Sequence, residues 1–166
     1  MADLKAVARV VRWATGSMVH NLKQLPPDKL DWKPPPEAKS ALQVTGEVAG
    51  VMRSFEPVFS GGKFEIQPLP QPTTLEEATT MLTEAAEAHA AALDAAGDEL
   101  ERSIDSPMGE MWAAHSVLFG MIDLLHHHGQ ITYIQSLLGD AEMHFDMPAI
   151  AQWFGPPPAG QPEPAA

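Results

Sequence analysis

Residues 73–106 read TTLEEATTMLTEAAEAHAAALDAAGDELERSIDS and contain no proline, although the chain has 16 prolines among its 166 residues. Because proline breaks helix interiors, its absence marks where a long helix can form. Thr73 or Thr74 is a suitable N-cap, and the carboxylates of Glu76 and Glu77 favour the first turn. Small and apolar side chains, with one histidine, follow at helical spacing: Leu75, Ala78, Leu82, Ala85, His89, Leu93, Ala96 and Leu100. This spacing is typical of a helix with one buried face.

Three other segments, residues 1–25, 40–60 and 108–138, also have the character of helices. Ser40 is a candidate N-cap of the second segment. Proline-rich loops separate the first three helices, and no stretch of any length alternates between apolar and polar residues as a strand does. We therefore predict an all-α protein, a four-helix bundle with long loops between helices.

The length of the chain is enough for one compact domain and rather short for two. We place this domain at residues 1–153 and expect a short C-terminal helical turn after Pro148. Residues 154–166, FGPPPAGQPEPAA, have the composition of a disordered tail.

The charge and composition narrow the classes of function. Ten Lys and Arg against 22 Asp and Glu give a formal net charge of -12, which repels nucleic acids and anionic membrane surfaces. There is no cysteine, so a metal site has to use histidine and carboxylate ligands. The N-terminus does not resemble a signal peptide, and no apolar run approaches the roughly 18 residues of a membrane span. We expect a soluble, cytoplasmic protein with no nucleic-acid or membrane partner.

The densest polar cluster is the segment DLLHHHGQ at residues 123–130. Asp123 and His127 are four residues apart and share a helix face, while His126 and His128 are turned by about 100° to either side. A carboxylate and an imidazole one turn apart form half of a site for a divalent metal ion. Such a site needs a further ligand from a facing helix.

Glu47 is the best candidate for that further ligand. It lies in the apolar segment VTGEVAGV, on the same flank of its helix as Val44 and Val51, and a buried charge needs a counter-charge or a metal ion. Other interpretations stay open, since Glu47 is also suited to capping, to pairing with Arg53, or to a position at the edge of the core. The histidine run is more typical of a solvated helix face, and His89 and His115 are more typical of core histidines than of metal ligands.

Three segments resemble the DinB/YfiT-like superfamily, whose members are regarded as metalloenzymes. They are LPPDKLDWKPPP at residues 25–36, SALQVTGEVAGV at residues 40–51, and HHHGQITYIQSLLG at residues 126–139. The last is similar to the family pattern HHRGQ-x-x-x-Y-L-R and is the most specific of the three. The resemblance covers most of the chain, from Val7 to Gly139.

The resemblance implies a four-helix bundle, often dimeric, that holds nickel or zinc with three histidines. Carried over by position, these ligands fall on Glu47, Asp123 and His127, so only His127 matches in type, and the Arg of HHRGQ is His128. Both replacements can still bind a metal ion, but two carboxylates favour harder ions such as Mn²⁺, Fe²⁺ or Mg²⁺.

Two functions follow as hypotheses. The first is a metal-dependent enzyme, a transferase using a low-molecular-weight thiol or a hydrolase, acting on a small molecule. In it Glu47, Asp123 and His127 bind the ion, and His126 or Gln130 orients a ligand or moves a proton. The second is a non-catalytic, stress-associated or small-ligand-binding bundle with a degenerate metal site. A homodimer through the first and last long helices is compatible with either.

Overall fold

The computed structural model describes residues 3–35, 37–107, 109–142 and 144. Within these residues four long helices form a bundle: α1 (Leu4–Leu22), α2 (Ala41–Phe59), α3 (Leu75–Ala95) and α5 (Phe119–Leu137). A short helix, α4 (Ala113–Ser116), precedes α5, and single 3-10 turns lie at Pro27–Lys29 and Asp98–Leu100. The predicted helical bundle is confirmed.

Side-chain caps fix where three of the helices begin. Asp3 accepts a hydrogen bond from the backbone N–H of Ala6 at the start of α1. Ser40 caps α2 and forms a capping box with Gln43, as the sequence predicts for Ser40. Thr74 caps α3 through the N–H of Glu77. Each cap satisfies a backbone donor that the first helical turn leaves without a partner.

The predictions of one helix over residues 73–106 and another beginning near residue 108 were wrong. Helix α3 ends at Ala95, and an antiparallel hairpin of β1 (Ser103–Ser106) and β2 (Gly109–Trp112) follows the 3-10 turn. Pro107 and Gly109 are at the tip of the hairpin, and Gly109 has a φ of 99°, which glycine adopts without strain. The expectation that the chain has no strands was therefore also wrong.

The core lies along the axis of the bundle. Helices α1 and α2 each pack against both α3 and α5. The predicted buried face is confirmed as far as α3 extends, because Leu75 is partly buried there and the other stripe residues up to Leu93 are buried; Ala96 and Leu100 lie beyond the end of α3. In the described part of the chain, no helix has the length and apolar character needed to cross a membrane.

Helix α5 is apolar around much of its circumference. Its inner face is buried in the bundle, while four large side chains on the outside are exposed: Ile122, Leu125, Tyr133 and Leu137. The predicted homodimer through the first and last long helices stays a prediction. The helical turn after Pro148 and the tail at residues 154–166 lie outside the described residues.

His89 is a core histidine, one of the two roles considered for it from the sequence. Its Nδ1 donates a hydrogen bond to the carbonyl oxygen of Met52, 3.1 Å away, and no described residue provides a hydrogen-bond partner for Nε2. The ring lies so close to α5 that a Cβ added at Gly120 would be 2.6 Å from it. Burial lowers the pKa of His89 to about 4, so the ring is neutral in the folded protein at neutral pH.

We expect His89 to make the protein less stable in acid. Its pKa is about 4 when folded against 6.5 ordinarily, so the unfolded chain binds more protons between these pH values. The free energy of unfolding should therefore fall by about 3 kcal/mol from this group as the pH drops from 6.5 to 4. Urea unfolding measured across this pH range should show a smaller loss of unfolding free energy for His89→Asn than for the parent protein.

His115 is exposed, so the core position considered for it from the sequence was wrong, and it offers the matched control for this measurement. His115→Asn should leave the pH dependence unchanged. An equal loss of stability in His89→Asn and in the parent protein would contradict the assignment.

Candidate metal centre

Glu47 lies on α2 beside the loop of residues 61–72, and both line one groove. A Cβ added at Gly46 would lie 2.0 Å from the carbonyl oxygen of Pro70, and one added at Gly50 would lie 2.7 Å from Cδ2 of Leu69 in the same loop. Glycine at these two positions therefore lets the loop pack directly on α2. The small residues on either side of Glu47 thus have a packing role, and Glu47 is left with 23% of its side chain exposed.

The ring of His127 connects α5 to α2. Its Nε2 is 3.1 Å from Oε2 of Glu47, and its Nδ1 is 2.8 Å from the backbone carbonyl oxygen of Asp123. A carbonyl oxygen only accepts hydrogen bonds, so Nδ1 carries a proton and donates it there. In the neutral ring, Nε2 then presents a lone pair to a carboxylate oxygen. Such a contact between two acceptors needs a proton or a cation.

Asp123 lies on the other side of the same ring. Its Oδ1 is 3.5 Å from Nδ1 of His127, and its Oδ2 is buried without a hydrogen-bond partner among the described residues. Burial raises the pKa of Asp123, the charge of His127 opposes that shift, and the charge of Glu47 adds to it. Asp123 is therefore a carboxylate whose negative charge is only partly compensated.

Lys39 supplies a positive charge to this cluster that the sequence interpretation missed. Its Nζ contacts Oε2 of Glu47, the same oxygen that His127 approaches. Burial acts to raise the pKa of Glu47, but the hydrogen bond from Lys39 and the charges of His127 and Lys39 outweigh it, so the pKa is lowered. Glu47 is thus ionised and pairs with Lys39, not with Arg53, the partner considered from the sequence.

No helical spacing could have identified Lys39. It lies in the loop before α2, immediately ahead of the Ser40 cap, where the chain has no periodic pattern. Its contact with Glu47 depends on the path of that loop. Arg53 is six residues beyond Glu47 in the same helix, and this spacing places the two on different faces.

Of the three predicted ligands, Glu47 lies next to Nε2 of His127 and Asp123 lies next to Nδ1 of the same ring. Each of the two carboxylates has an oxygen within 3.5 Å of the ring of His127. Across residues 3–35, 37–107, 109–142 and 144, however, no three His, Asp or Glu side chains are arranged closely enough to hold a metal ion. The donor types nevertheless suit a divalent ion.

The two residues predicted to be catalytic form a pair at the rim of this cluster. Nε2 of Gln130 is 3.1 Å from Nε2 of His126. The ring of His126 stands edge-on to that of His127, with centroids 5.1 Å apart. His128 points away to α1, where it contacts Asn21 at 3.1 Å, and burial lowers its pKa. The predicted divergence of the three histidines is confirmed.

Two grooves meet at Lys39. One, of about 250 Å³, borders Glu47, and the other, of about 430 Å³, borders Gln130. Both include Glu37, Ala38 and Lys39 in their walls. A larger groove of about 570 Å³ lies beside Asn21 and His128, outside this cluster. The two smaller grooves therefore border Glu47 and Gln130 at the edge of the cluster.

Residues 1–162 match the family model described as the DinB family. The chain belongs to the DinB family. A crystal structure of a DinB-like protein, YjoA, from Bacillus subtilis is similar in fold, with a TM-score of 0.69 and 17% sequence identity. The match covers 84% of this chain and 96% of that chain. No curated protein matches the sequence. The fold is thus that of DinB-like proteins.

We expect Asp123→Asn to raise the melting temperature of the metal-free DinB-family protein. Because the pKa of Asp123 is raised on folding, charging it opposes folding, and this penalty grows as the pH rises through its ordinary pKa. Removing the charge should stabilise the fold by on the order of 1 kcal/mol at neutral pH. Differential scanning calorimetry in EDTA measures the effect.

Asp105→Asn provides a control, because Asp105 is an exposed carboxylate on β1. It should leave the melting temperature nearly unchanged. A clear drop for Asp123→Asn relative to the parent would show that the carboxylate stabilises the fold and would contradict this prediction.

Proposed function

We propose that this DinB-family protein binds a divalent metal ion through Glu47, Asp123 and His127 and acts on a small molecule that enters from the adjoining grooves. One observation carries the proposal. Side chains of α2 and α5 meet with Nε2 of His127 and Oε2 of Glu47 3.1 Å apart, a contact that a proton or a cation would bridge. On the Nδ1 side of the same ring is a buried oxygen of Asp123 for which the described residues offer no hydrogen bond. A bound cation would bridge the first contact and would compensate the charge of Asp123.

The donor set favours particular metals. Two carboxylates and one imidazole suit Mn²⁺ and Fe²⁺ and also accept Ni²⁺ or Zn²⁺. When bound, such an ion would polarise a carbonyl group or lower the pKa of a bound water or thiol. Because the chain has no cysteine, a thiol would have to come from a low-molecular-weight cosubstrate. The proposed reaction is therefore a thiol-dependent transfer or a hydrolysis.

The protein's own side chains have distinct parts in this proposal. The carbonyl group of Asp123 holds the proton of His127 on Nδ1, which leaves Nε2 as the ligand atom. His126 and Gln130, hydrogen-bonded to each other at the rim, orient the small molecule or move a proton. The groove of about 250 Å³ limits the size of the group that reaches Glu47.

A second candidate function is favoured by the contact of Lys39 with Glu47. An ammonium group on this oxygen satisfies the carboxylate without a metal ion. In that case the protein would be a small-ligand-binding bundle, and the grooves beside Lys39 would hold the ligand.

Metal titration of the EDTA-treated protein separates the two functions. We expect about one Mn²⁺, Ni²⁺ or Zn²⁺ ion per chain by elemental analysis after dialysis against the metal. The melting temperature should rise, corresponding to about 2.7 kcal/mol when the metal is at 100 times its dissociation constant. Asp123→Ala and His127→Ala should each abolish the rise.

Asp105→Ala and His115→Ala provide matched controls, because they remove an exposed carboxylate and an exposed imidazole away from the cluster. Both should retain the full effect. Absence of binding by all three ions would reject the metal-dependent function in favour of the small-ligand-binding bundle.

A further inference from the structure

We propose that Lys39 sets the metal affinity of this centre, because its ammonium group occupies the cation position on Glu47 and an incoming ion has to displace it. This inference rests on the proposed metal-binding function. It assigns a role to a residue outside the three ligands.

Two groups of the protein already contact the oxygen of Glu47 that a metal ion would need. Lys39 Nζ and His127 Nε2 both contact Oε2 of Glu47. A divalent ion bound between Glu47 and His127 would approach this same oxygen. An ammonium group and a divalent ion repel each other at such short range, so the two cannot share the carboxylate without loss of affinity.

The ammonium group of Lys39 can leave Glu47 without unfolding α2. The backbone next to it is fixed, since Ser40 and Gln43 form the capping box of α2. The side chain itself is half exposed, at 50%, and is attached by a flexible four-carbon stem. Its ammonium group can therefore move into solvent or into either of the two grooves that it borders.

The positive charge of Lys39 also weakens the attraction of this cluster for a divalent ion. Glu47 and Asp123 place two carboxylates around one imidazole, and the chain as a whole carries -12. A lysine at Glu47 lowers the negative potential that would attract a divalent ion. Removing that positive charge should strengthen metal binding even though it removes a favourable ion pair from the metal-free protein.

The matched comparison is between Lys39 and Lys33. Both lysines line the groove beside Glu47, but only Lys39 is seen to contact the carboxylate among the described residues. Lys39→Met removes the charge and keeps most of the length, Lys33→Met removes an equal charge from the same groove, and Lys39→Arg keeps the charge. Lys39→Gln is a second neutral variant in case Lys39→Met folds poorly.

We expect isothermal titration of Mn²⁺ into EDTA-treated full-length protein to give a dissociation constant at least about tenfold lower for Lys39→Met or Lys39→Gln. Lys33→Met and Lys39→Arg should stay within about threefold of the parent. Melting temperatures provide a second measurement. Lys39→Met should melt at a lower temperature than the parent without metal and gain more from saturating Mn²⁺.

The outcomes distinguish this inference from the proposed function. If the parent binds Mn²⁺ and the neutral Lys39 variants bind no more tightly, Lys39 has no such role and the metal function stands. An equal gain in Lys33→Met would also overturn the inference, because it would show a general effect of charge. Binding only in the Lys39 variants supports the inference and rejects metal dependence of the native chain. No binding in any variant rejects both.

Discussion

A carboxylate that is partly removed from water needs a positive neighbour, and this requirement organises the centre of the bundle. For Glu47 on α2, Lys39 and His127 provide this neighbour. The loop before α2 and helix α5 therefore both contact the same oxygen of Glu47. Among the described residues, the carboxylate of Asp123 has such a positive neighbour only in His127, at a longer distance of 3.5 Å. The contact between α2 and α5 therefore includes one carboxylate, that of Asp123, whose charge is only partly compensated.

Glycine residues place these helices and loops close enough for such contacts. Gly46 and Gly50 bring the loop of residues 61–72 onto α2 on either side of Glu47, and Gly120 brings α5 against the ring of His89. A larger residue at Gly46 or Gly120 would push an element outward. Since His127 is two turns beyond Gly120 on the same helix, the packing at His89 helps to set the distance between His127 and Glu47.

Features that depend on helical periodicity could be predicted from the sequence. Features that depend on the path of a loop could not. Four-residue spacing is enough to place Asp123 beside His127, and the Ser40 cap is enough to start α2. The hairpin of residues 103–112 lacked a strand signal, because its strands are only four residues each. Lys39 reaches Glu47 by the path of a loop, which no spacing rule predicts. Both failures are tertiary effects in short, non-periodic segments.

The resemblance to DinB-like proteins implies three neutral imidazoles where this chain has two carboxylates and one imidazole. That exchange adds two negative charges to a centre inside a helix bundle, and such charges are tolerated only with compensation. Lys39 compensates one of them directly at Glu47. Asp123 keeps the other, with a raised pKa and, in the described residues, an Oδ2 without a hydrogen bond. The remaining demand is for one more positive charge close to Asp123, which is the requirement that a bound divalent ion would satisfy.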